Sequence, residues 1–240
     1  MNLKAAKAIV TGGSSGYGKG IAAALCAAGA KVWITGRDAA KLEAAARETG
    51  ATPFVADVSS PADWDRLFDA VGDDLAVLVN NAGAGGPIKP VAEQRDADIA
   101  ATIATNLTGV IYGCARAGRV MAARKSGAII NVSSVCALYA WPGWSVYTAA
   151  KAGLAKFSHG LYTELRPHGV RVTCLTPSWG RTDFNKAAGI SGASEDPALA
   201  DKCTAPADLG RIVVRILETP DYLAVPDITV QPMVQAIEPM

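Results

Sequence analysis

Residues 7–35, KAIVTGGSSGYGKGIAAALCAAGAKVWIT, decide how the chain is read. Lys7 to Thr11 is a short apolar run that ends directly in the glycine-rich turn Gly12 to Gly18. The alanine-rich stretch from Lys19 closes on Gly29, a helix with a glycine stop, and Lys31 to Thr35 is a second apolar run. Strand, tight turn, helix and strand in that order open a parallel α/β sheet. Glycines in such a turn let the backbone bend sharply and approach a pyrophosphate. The helix N-terminus behind them offers free N–H groups and the positive end of its dipole. Tight strand–helix turns also use glycine for structure alone, and it is the position after the first strand that favours a nucleotide.

The alternation continues to the end of the chain. Residues 37–49 read as a helix, 52–57 as a strand, and 61–71 as a helix with a Ser60-Pro61 start and an acidic first turn. LAVLVN (75–80) is almost wholly apolar, as a strand covered on both faces should be. After NNAG (80–83) and a Gly/Pro loop, one long helical pattern runs from Ala97 to Ala123. SGAIINVSS is a fifth strand, a helix through Tyr147 reaches about Arg166, and VRVTCLTP (170–177) is a sixth strand. Residues 178–206 are non-periodic and Gly/Ser-bearing, a loop or lid; 207–218 is an amphipathic helix and 227–232 a last strand. The expectation is a doubly wound, Rossmann-type parallel α/β sheet of about seven strands with helices on both faces. It forms one domain over 1–240 with 178–206 as its substrate lid.

Composition narrows the function classes. Half of the 240 residues are hydrophobic and the formal net charge is +1, without a long basic run, which argues against nucleic acid or an anionic membrane as partner. No run of about 18 apolar residues occurs. The five scattered cysteines contain no CxxC pair and read as reduced residues of a cytoplasmic protein. His159 and His168 have no ligand-spaced cysteines or acids around them, so no metal is expected, and no G-x-S-x-G elbow surrounds a serine.

The chemistry points to NVSSVCALYAWPGWSVYTAAK (131–151). Tyr147 and Lys151 are four apart and share a helix face, and Ser134 lies before the Pro142-Gly143 turn that can fold it back to them. A phenol, an ammonium and a hydroxyl in one small volume form a proton-transfer site for a carbonyl or alcohol. A free phenol titrates near 10, and a neighbouring ammonium favours its ionised form. Ser134 would hydrogen-bond the substrate oxygen.

These motifs together resemble the compact, single-domain branch of the short-chain dehydrogenase/reductase family. The resemblance covers essentially the whole length. It rests on TGxxxGxG (11–18), Asp57, NNAG (80–83), Asn106 in NLTG, Ser134, YxxxK (147–151), and Pro177 followed by Thr182. It implies a dinucleotide held by Gly12, Ser14, Ser15, Gly16, Tyr17 and Gly18, with Asp57 and Val58 at the adenine. Asn80, Ala82 and Gly83 would lie beside the ribose, Tyr147 and Lys151 at the nicotinamide ribose, and Pro177 and Thr182 on the nicotinamide side. Asn106 would hold a water linking Lys151 to solvent, and the assembly would be a homotetramer or homodimer. Tyr17 stands where the family usually has an aliphatic residue, and Pro177-Ser178 replaces its usual Pro-Gly.

At the end of the second strand Gly36 occupies the acidic position that would read a 2′-hydroxyl, and Arg37 follows. A guanidinium can fork onto a 2′-phosphate that a carboxylate would repel, so NADP(H) is expected over NAD(H), with Ser14 and Ser15 as further donors. For Asp57 the competing reading is a turn or cap. The substrate is a small ketone or alcohol under the lid. Trp141, Trp144 and Trp179 either flank it, which suggests an apolar or aromatic-bearing ketone or alcohol, or pack structurally or at a subunit contact, and Arg181 either meets a substrate carboxylate or phosphate or faces solvent. A 3-oxoacyl-carrier-protein reductase and a non-catalytic NADP-sensing protein are the alternative readings, and the ending 228–240 looks closer to family members acting on 3-hydroxy acids or serine.

Overall fold

The computed structural model describes residues 1–236, so the last residues of the 1–240 span, and of the ending compared above, lie outside it. Seven strands form one all-parallel sheet in the order β3-β2-β1-β4-β5-β6-β7. They are β1 (Lys7–Thr11), β2 (Lys31–Gly36), β3 (Thr52–Val55), β4 (Leu75–Asn80), β5 (Gly127–Val132), β6 (Val170–Pro177) and β7 (Asp227–Val230). The helices are α1 (Gly16–Ala27), α2 (Ala39–Thr49), α3 (Pro61–Val71), α4 (Asp96–Ile103), α5 (Gly109–Arg124), α6 (Ser145–Leu165), α7 (Phe184–Ala187) and α8 (Pro206–Glu218).

The strands read as continuous apolar runs because both of their faces are buried, yet the two-residue period still sorts their side chains. Ala8, Val10, Val77, Val79, Ala128, Ile130, Val132 and Leu175 join α1, α2 and α8 in one core layer. Ile9, Leu78, Ile129, Val170 and Val172 join α3, α5 and α6 in the other. A one-residue slip of any central strand would exchange these sets. Register is also fixed by polar groups. In the β4–β5 pair Asn80 lies opposite Asn131, and its Nδ2 donates to Asn131 Oδ1 at 2.9 Å. Asn131 Nδ2 then donates to Ser158 Oγ at 2.9 Å, tying α6 to the strand that precedes Ser134.

The sheet reverses direction of winding between β1 and β4, which leaves a crevice at the carboxyl ends of these strands where such sheets take ligands. The glycine turn after β1, NNAG at the end of β4 and Ser134 after β5 all follow the carboxyl ends of their strands.

The long helix expected over 97–123 is interrupted. Residues Ala104–Thr108 form a π turn between α4 and α5, with the Gly109 N–H reaching back to the Ala104 carbonyl. Helical periodicity runs through the bulge, so the pattern of apolar residues does not reveal it. The segment read as a lid holds α7 and two 3₁₀ turns, Ala193–Glu195 and Ala200–Lys202. Its stems meet in a bridge between Gly180 and Thr204, where Arg181 N–H donates to the Thr204 carbonyl at 2.9 Å and Thr204 N–H to the Trp179 carbonyl at 3.0 Å. Among the described residues no helix is long and apolar enough to cross a membrane.

Candidate active site

The glycine turn has the form a phosphate needs. Gly12 and Gly16 adopt left-handed backbone angles, φ 65° and 51°. A Cβ on Gly12 would lie 2.8 Å from Ala82 Cα, and one on Gly18 would lie 2.2 Å from the Gly12 carbonyl, so this crossing of β1 and α1 closes only with glycine. Helix caps sharpen the point. Asp38 and Ser60 cap α2 and α3 with their side chains, whereas Ser15 at the start of α1 makes no side-chain cap. The first-turn N–H groups of α1 therefore carry no side-chain partner and point where a pyrophosphate would bind. These features fit a dinucleotide.

The end of β4 is lashed to this turn by Thr11 and Asn81, which the motifs contain but to which the sequence reading gave no role of their own. Thr11 Oγ1 accepts the backbone N–H groups of Asn81 and Ala82, each at 3.0 Å. Asn81 Nδ2 donates to the carbonyls of Thr11 and Gly12 at 3.0 and 3.3 Å. Of the adjacent asparagines in NNAG, it is thus Asn81 whose side chain serves the turn. Asn80 is turned inward to Asn131 and Cys114, and only its backbone faces the crevice. The doubled asparagine was the available signal, but only the pleat decides which of the two points in.

At the end of β2, Ser14 Oγ lies 3.4 Å from where a Gly36 Cβ would be, and the exposed Arg37 guanidinium stands 4.0 Å from Asp57 Oδ2. Asp57 Oδ1 accepts both the N–H and the O–H of Ser59, at 2.8 and 2.7 Å, so this carboxylate builds a turn as well as facing Arg37. The Val58 carbonyl takes the Trp64 indole N–H at 2.9 Å.

Tyr17 goes elsewhere. Its ring runs beneath the lid stems, where a Cβ on Gly180 would lie 2.2 Å from its hydroxyl, and the buried phenol oxygen has no well-formed hydrogen bond. Burial raises its pKa above the usual tyrosine value, with the nearby Thr204 side chain working the other way. Thr182 sits against Gly16, 3.4 Å from its Cβ position, which places the lid's first residues over the glycine turn. Ser178, in place of a glycine after Pro177, donates its N–H to the Val230 carbonyl at 2.9 Å and its hydroxyl to Gln235.

Ser134, Tyr147 and Lys151 converge as the spacing requires. The Pro142-Gly143 turn returns the chain, with Gly143 at φ 83°. Tyr147 and Lys151 then rise on the inner face of α6, 5% and 3% exposed. The Lys151 ammonium is 5.7 Å from the Tyr147 ring centroid and donates to the Val132 carbonyl at 2.9 Å. Burial raises the Tyr147 pKa well above that of a free phenol, with the nearby Cys136 thiol adding to the rise and a hydrogen bond with Ser134 opposing it. Burial likewise pulls Lys151 down to about 8. Desolvation is the largest influence on both groups and favours the neutral phenol and the neutral amine.

Asn106 is fully buried in the π turn. Its Oδ1 accepts Ala84 N–H at 3.3 Å, and its Nδ2 donates to the Ala84 and Thr102 carbonyls at 2.7 and 2.9 Å. The carboxamide is thus occupied in pinning the loop after Gly83. A Cβ on Gly83 would come within 2.9 Å of Asn106 Oδ1 and 3.6 Å of Lys151 Nζ, so these three residues share one corner.

Around the phenol, Trp144 meets the Tyr147 ring edge-on with centroids 5.5 Å apart, Trp141 pairs with Tyr139, and Trp179 belongs to the lid base. Phe184, unmarked in the sequence because the lid has no periodicity, lies 5.5 Å from the Tyr147 centroid. Arg181 is directed at Asp201, 2.8 Å away. A cleft of about 640 Å³ between Gly16, Thr182, Lys186, Glu195 and Pro206 opens beside the glycine turn.

Comparison with known proteins agrees with this geometry. A serine 3-dehydrogenase from Agrobacterium fabrum is 30% identical over 241 residues, 95% of this chain and 94% of its own. A 3-oxoacyl-[acyl-carrier-protein] reductase from Synechocystis sp. is 36% identical over 193 residues, covering 77% and 78% of the two chains. The closed form of a serine dehydrogenase complexed with NADP+ superposes with a TM-score of 0.86 at 27% identity, over 98% of each chain. The family model described as short chain dehydrogenase matches residues 6–190. A parallel seven-stranded sheet, a glycine turn at its switch point and a Tyr-x-x-x-Lys helix face thus accompany a match over most of the sequence, and the chain belongs to the short-chain dehydrogenase family.

Proposed function

We propose that the protein is an NADP-dependent oxidoreductase that interconverts a ketone and a secondary alcohol, with Tyr147 transferring the proton. The meeting of the Tyr147 phenol, the Lys151 ammonium and the Ser134 hydroxyl beside the uncapped turn of α1 carries this reading. When bound, the nicotinamide supplies the hydride. The α1 turn would hold the pyrophosphate, Asp57 and Val58 the adenine side, and the Ala82-Gly83 backbone with Lys151 the ribose. Pro177 and Thr182 would border the nicotinamide. At the end of β2, where a 2′-phosphate would lie, Ser14 Oγ borders Gly36, which carries no carboxylate, and the exposed Arg37 follows it, which supports NADP over NAD. Ser134 orients the carbonyl oxygen and Tyr147 protonates it as negative charge develops. A phenol kept protonated by burial suits the reductive direction at neutral pH.

The test is NADPH oxidation with a ketone panel. Tyr147→Phe is expected to lower kcat by ~10²- to 10⁴-fold while NADPH still binds. Retained turnover would remove Tyr147 from the role. Arg37→Ala should reduce the NADPH-over-NADH preference by roughly 10- to 100-fold, the worth of a charge-assisted fork. An unchanged ratio would show that the discrimination lies elsewhere.

A further inference from the structure

Only one aromatic side chain rides on the lid helix α7, and it rests on the Tyr147 ring. Phe184 lies with its centroid 5.5 Å from that of Tyr147 at an interplanar angle of 53°. Trp144 approaches the same ring at 5.5 Å and 67°. Both pairs fall in the tilted or edge-to-face range where aromatic rings attract. Gly85 makes the close approach of α7 possible: it is buried, and a Cβ there would stand 3.0 Å from Ala188 Cβ and 3.5 Å from the Phe184 ring. Two aromatic rings and the Lys151 ammonium thus pack against the phenol ring, with Cys136 and Ser134 beside its hydroxyl. Of the lid cations, Arg181 is directed to Asp201, while Lys186 on α7 borders the cleft at the glycine turn.

We propose that Phe184 and Trp144 clamp the substrate, and that Phe184 is the specificity-determining residue selecting ketones with a flat apolar ring next to the carbonyl. This rests on the ketone–alcohol reading above and deepens it by naming the substrate class. A planar ring that takes up the contact between Phe184 and Tyr147 exchanges one aromatic contact for another and keeps water out. A carboxylate in that place would be desolvated against ring faces, and a short linear chain would leave those faces uncovered.

The experiment measures kcat/KM with NADPH for three methyl ketones: acetophenone, 2-octanone and acetoacetate. Acetophenone is expected to lead both others by about tenfold, the upper range of one aromatic pair. Phe184→Ala should bring the ratios close to one, mainly through KM for acetophenone, and Phe184→Trp should keep the preference. Gly85→Ala, which pushes α7 away, should lower the ratios in the same direction. Fluorescence titration of NADPH should give a Kd within about twofold of wild type for each variant, showing that the fold and cofactor site persist. Ratios unmoved in Phe184→Ala, or a wild-type preference for 2-octanone or acetoacetate, overturn the clamp alone. No ketone-dependent NADPH oxidation by wild-type protein overturns both the clamp and the ketone–alcohol reading.

Discussion

Replacing Lys151 by methionine is expected to stabilise the cofactor-free protein at neutral pH while abolishing its chemistry. Burial takes the ammonium from its ordinary 10.5 down to about 8. The folded value lies below the unfolded one, so between the two the unfolded chain holds a proton that the folded protein has released. Stability contributed by this group therefore rises as pH climbs from about 8 to 10.5, and below about 8 the penalty is fully present. At 1.36 kcal/mol per pH unit, the span is worth roughly 3 kcal/mol. Methionine removes that penalty but leaves the Val132 carbonyl without its 2.9 Å donor, a loss of about 1 kcal/mol. The variant should thus exceed wild type by about 2 kcal/mol near pH 7 and fall slightly below it near pH 10.5. Urea unfolding of both proteins across this range, followed by tryptophan fluorescence, gives the difference directly. Groups that burial shifts upward, such as Tyr17 and Cys114, titrate in both proteins and cancel. A difference that stays flat within about 0.5 kcal/mol across the range refutes the argument that an uncompensated buried ammonium sets the balance of this site.

Two further outcomes concern what holds the site in place. Gly113→Ala puts a Cβ 2.4 Å from the ring of Trp64, itself 2% exposed and bonded to the Val58 carbonyl. A loss of about 2 kcal/mol, seen as a Tm lower by roughly 6 °C, should come with a higher KM for NADPH than for ketone, and an unchanged Tm would count against it. Asn131→Ala strands the buried Asn80 amide and should cost about 2–3 kcal/mol, whereas the double change of Asn80 and Asn131 to leucine should cost less than the sum of the two single leucine changes. Strict additivity in denaturant melts would mean the pair is not coupled.

How legible this was in the sequence depends on what each element is made of. The alternation of apolar runs with helical stretches announced the sheet, because parallel strands buried on two faces leave little else for Leu75 to Asn80 or Gly127 to Val132 to be. The convergence of Ser134, Tyr147 and Lys151 followed from helical spacing and one Pro-Gly turn. The π turn at Asn106 was invisible, since an extra residue in a helical turn hardly disturbs the apolar pattern. Tyr17 was read with the glycine turn by adjacency, but its ring points out of that turn into the lid base, a direction that residue spacing does not encode. Phe184 carried no signal at all: its importance comes from a tertiary contact across about forty residues, made inside a segment with no period to read.

The bridge between Gly180 and Thr204 has an evolutionary corollary. Because the lid's two stems grip each other through Trp179, Arg181 and Thr204, the residues between can change in length or content without disturbing β6 or α8. Doubling such a loop adds only about 0.6 kcal/mol of closure entropy. An exchange of residues 183–203 for the corresponding stretch of a relative, which keeps Thr182 against the glycine turn, is expected to change the selectivity proposed for the lid while NADPH still binds.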